Sequence, residues 1–312
     1  MTKTLWQTLD CKLRRRSHHY FKWSANRAYR TQREAHLEPL IIYQMGKVGS
    51  STLMRTFEAL DHPYELFQVH ALTWPWIRKI EEQYRHASSV RGCPILDEHI
   101  LASRYLRQRM DRSKPGARWK IITLVRDPIA RNISTFFQGF PIYFPHLRGL
   151  IEDSGDMETR LNRVIDVFLN QYAEHDSPLI WYDEHFKPVF DVDVFDTPFD
   201  TSKGYQVYRT DRADVLLMRL EDLDRIFPQA IHEFAGLRVN DIKSANISSQ
   251  KPYSSTYGAF KKRIELPIAY VERSYGSRFA RHFYSPTELA DFSARWCASY
   301  RHQGAVRMAT QR

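Results

Sequence analysis

Apolar residues in this chain gather in short unbroken runs, and between the runs their spacing changes to a helical period. Leu40-Ile41-Ile42-Tyr43 and Trp119-Lys120-Ile121-Ile122-Thr123-Leu124-Val125 show no in-and-out alternation. Runs this short and this rich in β-branched residues predict strands buried on both faces, as in a parallel sheet. Glu65-Leu66-Phe67-Gln68-Val69-His70 reads as a second strand ending in histidine, and Val207-Tyr208-Arg209 and Val215 to Leu220 as later ones. Leu53, Thr56, Phe57 and Leu60 fall on one helical face, as do Ile129, Ile133, Phe136 and Phe137. A further helix is predicted over Ile95 to Met110, and another starts at Glu221-Asp222-Leu223 with Ile226, Phe227, Ile231 and Phe234 turned inward. Strands alternating with helices predict an α/β fold, a mostly parallel sheet flanked by helices with ligands at the strand C-termini.

Composition narrows this picture. With 312 residues, 43% of them hydrophobic, the chain can bury one large core or two modest ones. The pattern favours one, with residues 1–36 as a basic N-terminal segment and 37–312 as a single α/β domain. No run approaches the ~18 apolar residues of a membrane span. The N-terminus lacks a signal-peptide apolar region and centres instead on Lys12-Leu13-Arg14-Arg15-Arg16. That run reads as a solvated arm, with peripheral contact to an anionic membrane or polyanion as the sharper alternative. A formal charge of +10 suits an anionic ligand. It would suit nucleic acid equally, but no zinc finger, RNA-recognition motif or helix-turn-helix accompanies it, so no nucleic-acid partner is expected.

Two segments carry the chemistry. In Tyr43-Gln44-Met45-Gly46-Lys47-Val48-Gly49-Ser50-Ser51-Thr52-Leu53 a predicted strand runs through a small-residue turn into a helix. The unpaired N–H groups and positive dipole end of such a helix face an anion, and Gly46 and Gly49 let the backbone approach it. The segment is not a Walker A loop, because Ile41 stands where the first glycine belongs and Val48 where the magnesium-binding hydroxyl belongs. In the second segment Arg126 ends a strand, Asp127 caps a helix, Pro128 sets its first turn, and Ser134 follows Arg126 by two helical turns. A guanidinium fork and a hydroxyl form a sensible phosphate clamp. Each motif alone is also what a tight loop or a helix entrance looks like. In this order, each at a strand end, they make a nucleotide site the better explanation.

The lysine two residues before a glycine and a hydroxyl run resembles the 5′-phosphosulfate loop of sulfotransferases, and Arg126 with Ser134 resembles their 3′-phosphate clamp. Leu217-Met218-Arg219-Leu220-Glu221-Asp222-Leu223 is similar to a largely structural element of the same superfamily. Within it the chain is most similar to the bacterial capsular polysaccharide synthesis proteins, through residues 43–52, Pro178-Leu179-Ile180-Trp181-Tyr182-Asp183, and Lys203-Gly204-Tyr205 leading to Arg219. The likeness extends over roughly residues 38 to 300. It implies a P-loop-type sulfotransferase fold, 3′-phosphoadenosine 5′-phosphosulfate as donor without a metal, and a saccharide or other small hydroxylated acceptor. Golgi members carry a membrane anchor. Its absence, with only Cys11, Cys93 and Cys297, favours a reducing cytoplasm and a bacterial source.

Sulfuryl transfer assigns roles to these residues. Lys47 faces the bridging oxygen of the leaving nucleotide, while Gly46, Gly49, Ser50, Ser51 and Thr52 hold the 5′-phosphosulfate. His70 leads as general base, since an imidazole titrates near neutrality. Its rivals are Asp183, Glu184 and His185, and the bland alternative is a hydrogen-bonded structural histidine. Gln250-Lys251-Pro252-Tyr253 and Phe260-Lys261-Lys262-Arg263 are candidates for a late basic loop, with Lys251 as the possible phosphate contact, although a solvated helix face explains Lys261 to Arg263 as well. Trp296 and Tyr300 read as core. The competing functions are an ATP- and magnesium-dependent nucleotide or sugar kinase, and a non-catalytic nucleotide- or glycan-binding protein of capsule assembly.

Overall fold

The computed structural model describes residues 37–91, 98–152, 156–239, 242–243 and 251–300. The basic run Lys12 to Arg16, Cys11, Cys93 and Gln250 lie outside them. Five strands form one sheet: β1 (Glu38–Tyr43), β2 (Tyr64–Val69), β3 (Trp119–Val125), β4 (Tyr205–Arg209) and β5 (Ala213–Arg219), in the order β2-β1-β3-β5-β4. β1 pairs parallel to both β2 and β3, with Ile41 opposite Phe67 on one side and Ile121 on the other. Leu40 to Tyr43, Ile121, Ile122 and Val215 to Met218 are fully buried, as the unbroken apolar runs require of central parallel strands.

β3 and β5 are parallel, whereas β4 and β5 are antiparallel. The reason is local. Thr210 accepts hydrogen bonds on Oγ1 from the Arg212 and Ala213 amides, 3.3 and 3.1 Å away, closing a turn too tight for a crossover. The antiparallel pair thus sits at the sheet edge, and the sheet is mostly parallel.

Helices α1 (Ser50–Phe57), α2 (Trp74–Arg91), α3 (Glu98–Asp111) and α4 (Pro128–Tyr143) connect the first three strands and leave the third. The helix expected from Ile95 is seen from Glu98, its first residues lying outside those described. The 18-residue α2 was not anticipated. It opens on Trp74-Pro75-Trp76 and carries charges on several sides, so its apolar period is weak. Helical segments then run from Pro145 to Phe190, including α5 (Met157–Asn170). After β5 a 3₁₀ turn, Leu220–Asp222, precedes α6 (Leu223–Ala235), where a helix was expected to begin at Glu221. Then come α7 (Ser254–Arg263), α8 (Ile268–Tyr275), α9 (Arg278–Phe283) and α10 (Pro286–Trp296). Buried apolar residues from Leu40 to Cys297 belong to one cluster, Trp296 among them. No helix among the described residues is long and apolar enough to cross a membrane.

β1 is where successive connections leave in opposite directions, since β2 lies on one side of it and β3 on the other. A crevice therefore opens at the C-terminal ends of β1 and β3. The two phosphate-like segments begin at those two ends.

Candidate active site

The loop after β1 has an unusual backbone. Lys47 and Gly49 both adopt left-handed conformations, at φ 72° and 103°. Gly49 is the N-cap of α1, and its φ of 103° is strained for any residue with a Cβ, so this position favours glycine; an added Cβ would also lie 2.7 Å from Leu220 Cδ1. From the other side Arg126 Nη1 donates to the Lys47 carbonyl at 2.9 Å and Arg131 Nε to the Gly46 carbonyl at 3.2 Å. The loop is thus clamped by two arginines at the start of α4. Asp127 caps that helix as expected, accepting on Oδ1 from the Ile129 and Ala130 amides and from the Tyr275 hydroxyl.

A cavity of about 460 Å³ lies between the loop and α4. Gly46, Lys47, Gly49, Ser50, Ser51 and Thr52 line one wall, Arg126 and Ser134 another, and His70 a third. Every predicted site residue except Lys251 therefore faces one space. Lys251 is close by, since its charge helps to depress the proton affinity of Lys47. The lining contains no carboxylate. Its volume falls in the range of small-molecule and cofactor pockets.

Electrostatics follow from this arrangement. Burial first, then Arg126 and Lys251, push the Lys47 ammonium down from 10.5 to about 8. Lys47 Nζ donates to Gln138 Oε1 at 2.6 Å. Lys261 is shifted the same way, by burial and by Arg126, with its ammonium 4.4 Å from the Tyr257 ring centre. Cations gathered around a space with no lining acid give it a positive potential, which suits an anionic ligand.

His70 stands one residue beyond β2, with Nδ1 2.8 Å from the Gln44 carbonyl oxygen. A carbonyl only accepts, so Nδ1 carries the proton and the neutral ring keeps Nε2 as its basic nitrogen. The rivals lie elsewhere. None of Asp183, Glu184 and His185 lines the cavity. Asp183 accepts from Arg278 Nη2, with Oδ1 at 2.6 Å. His185 is buried against Trp76 with ring centres 4.4 Å apart, and burial pushes its pKa down to about 4. Trp181 and Tyr182 are core residues. Arg263 pairs with Glu158 at the surface, matching a solvated helix face.

The wall also holds residues that sequence reasoning missed: Gln68, Tyr84, His99, Gln138, Tyr143 and Tyr257. Gln138 follows Ser134 by four residues, a helical neighbour that could have been found. Gln68 Nε2 donates to Ser50 Oγ at 2.5 Å, a contact that depends on the β1–β2 register and leaves no sequence signal. The Arg219-Leu220-Glu221-Asp222 element is structural. Arg219 is buried and bonds Asp222, Glu288 and the Phe283 carbonyl, while Glu221 accepts from the Asp127 amide at 2.8 Å. Asp127 and Glu221 are both held above the ordinary carboxylate range, chiefly by burial.

A family model described as "Putative capsular polysaccharide synthesis protein" matches residues 153–285. The matched region contains β4, β5, the Arg219 element and Lys251, and ends just before α10. It does not include the β1–α1 loop, His70, Arg126 or Ser134. No curated protein and no solved structure matches the chain.

Proposed function

We propose that this protein moves a sulfuryl group from 3′-phosphoadenosine 5′-phosphosulfate to a hydroxyl of a saccharide or similar small acceptor. The observation that carries the reading is the single carboxylate-free cavity shared by the Lys47 loop, the Arg126–Ser134 pair and His70. A donor phosphorylated at both ends of its ribose needs two separate anion clamps, and these two lie at neighbouring strand ends. The name of the family matched over residues 153–285 favours a glycan acceptor and a role in capsule synthesis.

The chain's own groups suit each part of such a transfer. His70 Nε2 would take the acceptor proton as the acceptor oxygen bonds to sulfur. Lys47 would neutralise the bridging oxygen as the bond from sulfur to the 5′-phosphate breaks, releasing adenosine 3′,5′-bisphosphate. Ser50, Ser51 and Thr52 with the first amides of α1 would hold the 5′ end, and Arg126, Ser134 and Lys251 the 3′-phosphate.

Thermal melting tests the donor. Adenosine 3′,5′-bisphosphate should raise the melting temperature far more than ADP or AMP at equal concentration, with or without magnesium. Arg126 also holds the Lys47 carbonyl, so Arg126→Ala would disturb both clamps. Ser134→Ala is the cleaner probe and should weaken the bisphosphate while sparing AMP. Equal shifts from ADP and the bisphosphate, or a shift seen only with ATP and magnesium, would favour a kinase. Bisphosphate binding without transfer of radiolabelled sulfate to any glycan would favour a binding protein of capsule assembly.

A further inference from the structure

A second cavity, of about 50 Å³, lies between α2, α3 and the end of β2. Ile77, Ile80 and Ile100 give it apolar walls, and His70, Tyr84 and His99 line both this cavity and the larger one. These three residues therefore form a rim between a polyanion site and an apolar pouch. The His70 and His99 ring centres are 4.7 Å apart. His99 Nδ1 lies 3.1 Å from the Gln68 carbonyl oxygen, so it too donates there, and the neutral ring keeps Nε2 as its basic nitrogen. Two imidazoles fixed in the same tautomer thus border the mouth of the pouch.

Protein interiors are close-packed, so an apolar void beside a candidate base calls for an occupant. This one is several times the roughly 10–15 Å³ that one water needs. Away from the rim the space is lined by Ile77, Ile80, Ile100 and Ala71, with Ser103 its one hydroxyl, which makes it poor for several waters and good for a methyl group. A hydroxymethyl there would bury its hydroxyl in a mostly apolar lining where Ser103 is the one hydroxyl away from the rim, a cost that a methyl group avoids.

We infer that the pouch receives a methyl-terminated substituent of the acceptor sugar, an acetamido or a 6-deoxy group, while the reacting hydroxyl faces His70. The inference rests on the sulfuryl-transfer reading for calling its occupant an acceptor. It makes Ile77, Ile80 and Ile100 the specificity-determining wall, with His99 and Tyr84 contacting the sugar at the rim.

The test reads binding, so it does not depend on turnover. Methyl glycosides of N-acetylglucosamine and glucose, and of D-fucose and D-galactose, are titrated into the full chain with and without adenosine 3′,5′-bisphosphate, and saturation-transfer NMR reports which protons touch the protein. The first pair probes an acetamido group and the second a 6-deoxy group. In at least one pair the methyl-bearing sugar should bind about tenfold more tightly, with the strongest saturation on its methyl protons. Ser103→Leu and Ile80→Phe fill the pouch from α3 and from α2, and either folded variant should erase the preference while leaving the thermal shift from the bisphosphate unchanged. Equal affinities within both pairs, no binding of any of the four sugars, or a preference that survives filling would overturn the inference. Absence of a bisphosphate-specific thermal shift in the wild type is a separate result, and it counts against the donor reading alone.

Discussion

Lys47 sits in the left-handed region at φ 72°, a position that costs a residue with a Cβ about 1 kcal/mol or more. Its ammonium is also depressed to about 8 by burial and by neighbouring cations. Both penalties make sense if the side chain waits for an anion. Because the folded pKa lies below the unfolded 10.5, the native state holds fewer protons than the unfolded one between about pH 8 and 10.5, and stability attributable to Lys47 should rise with pH across that window. Urea unfolding of wild type and Lys47→Met at several pH values should show this slope in the difference between them, and parallel profiles would argue against a depressed lysine. Lys47→Ala should fold normally yet lose roughly a hundredfold or more in sulfate transfer, since its charge matters most as the leaving group forms. His70→Ala should lose most turnover and keep its affinity for adenosine 3′,5′-bisphosphate. Asp183→Asn should stay active, because that carboxylate is bonded to Arg278 and does not line the cavity. If the pattern is reversed, the base lies in the Trp181 segment.

The β1–α1 loop and α4 work as a pair. The loop presents amides and hydroxyls, and α4 supplies Arg131 to hold the loop, Ser134 to line the cavity and Gln138 to receive Lys47. Gly49 joins the loop to the core below it, where an added Cβ meets Leu220 at 2.7 Å with a backbone φ of 103°. Gly49→Ala is therefore expected to cost about 1–3 kcal/mol and to abolish the thermal shift given by the bisphosphate. Gly46 has open space around the position a Cβ would take, so Gly46→Ala should melt close to wild type. Similar melting temperatures for the two variants would show that the loop is not held against Leu220.

At the scale of the molecule, polar ties bind the C-terminal helices to the sheet. Arg219 at the end of β5 reaches Glu288 of α10 and the Phe283 carbonyl, Asp127 after β3 accepts from Tyr275 of α8, and Glu221 accepts from Tyr284. Asp127 follows Arg126 directly at the end of β3, so its bonds with Tyr275 and Glu221 hold the chain beside Arg126. Removing Arg219 would take the buried cation away from the half-buried Asp222 and Glu288, leaving Asp222 with Arg225 and Glu288 with Ser285. Arg219→Met should thus destabilise the protein by about 1–3 kcal/mol, visible as a lower urea midpoint. A midpoint within error of wild type would mean that these carboxylates find water or other partners without it.

How much could be read in advance depended on whether a feature is local. The strands at Leu40–Tyr43 and Trp119–Val125 were legible because short runs of mainly apolar, β-branched residues without alternation suit central parallel strands, and the turn after Tyr43 and the helix entry at Asp127-Pro128 were legible because turn chemistry and helix entry are set by neighbouring residues. The amino-acid sequence alone thus determined an α/β core, two phosphate-like segments at strand ends and a basic balance suited to a polyanion. Only the tertiary structure decided that β1 and β3 lie side by side and bring both ends into one cavity. It also placed Asp183 against Arg278 and His185 against Trp76, outside the cavity lining, and joined His99 to His70 across 29 residues of chain. The physical reason is that register and packing are properties of pairs far apart in sequence, where an antiparallel edge, an arginine reaching a distant carbonyl or an apolar void between two helices leaves no periodic trace.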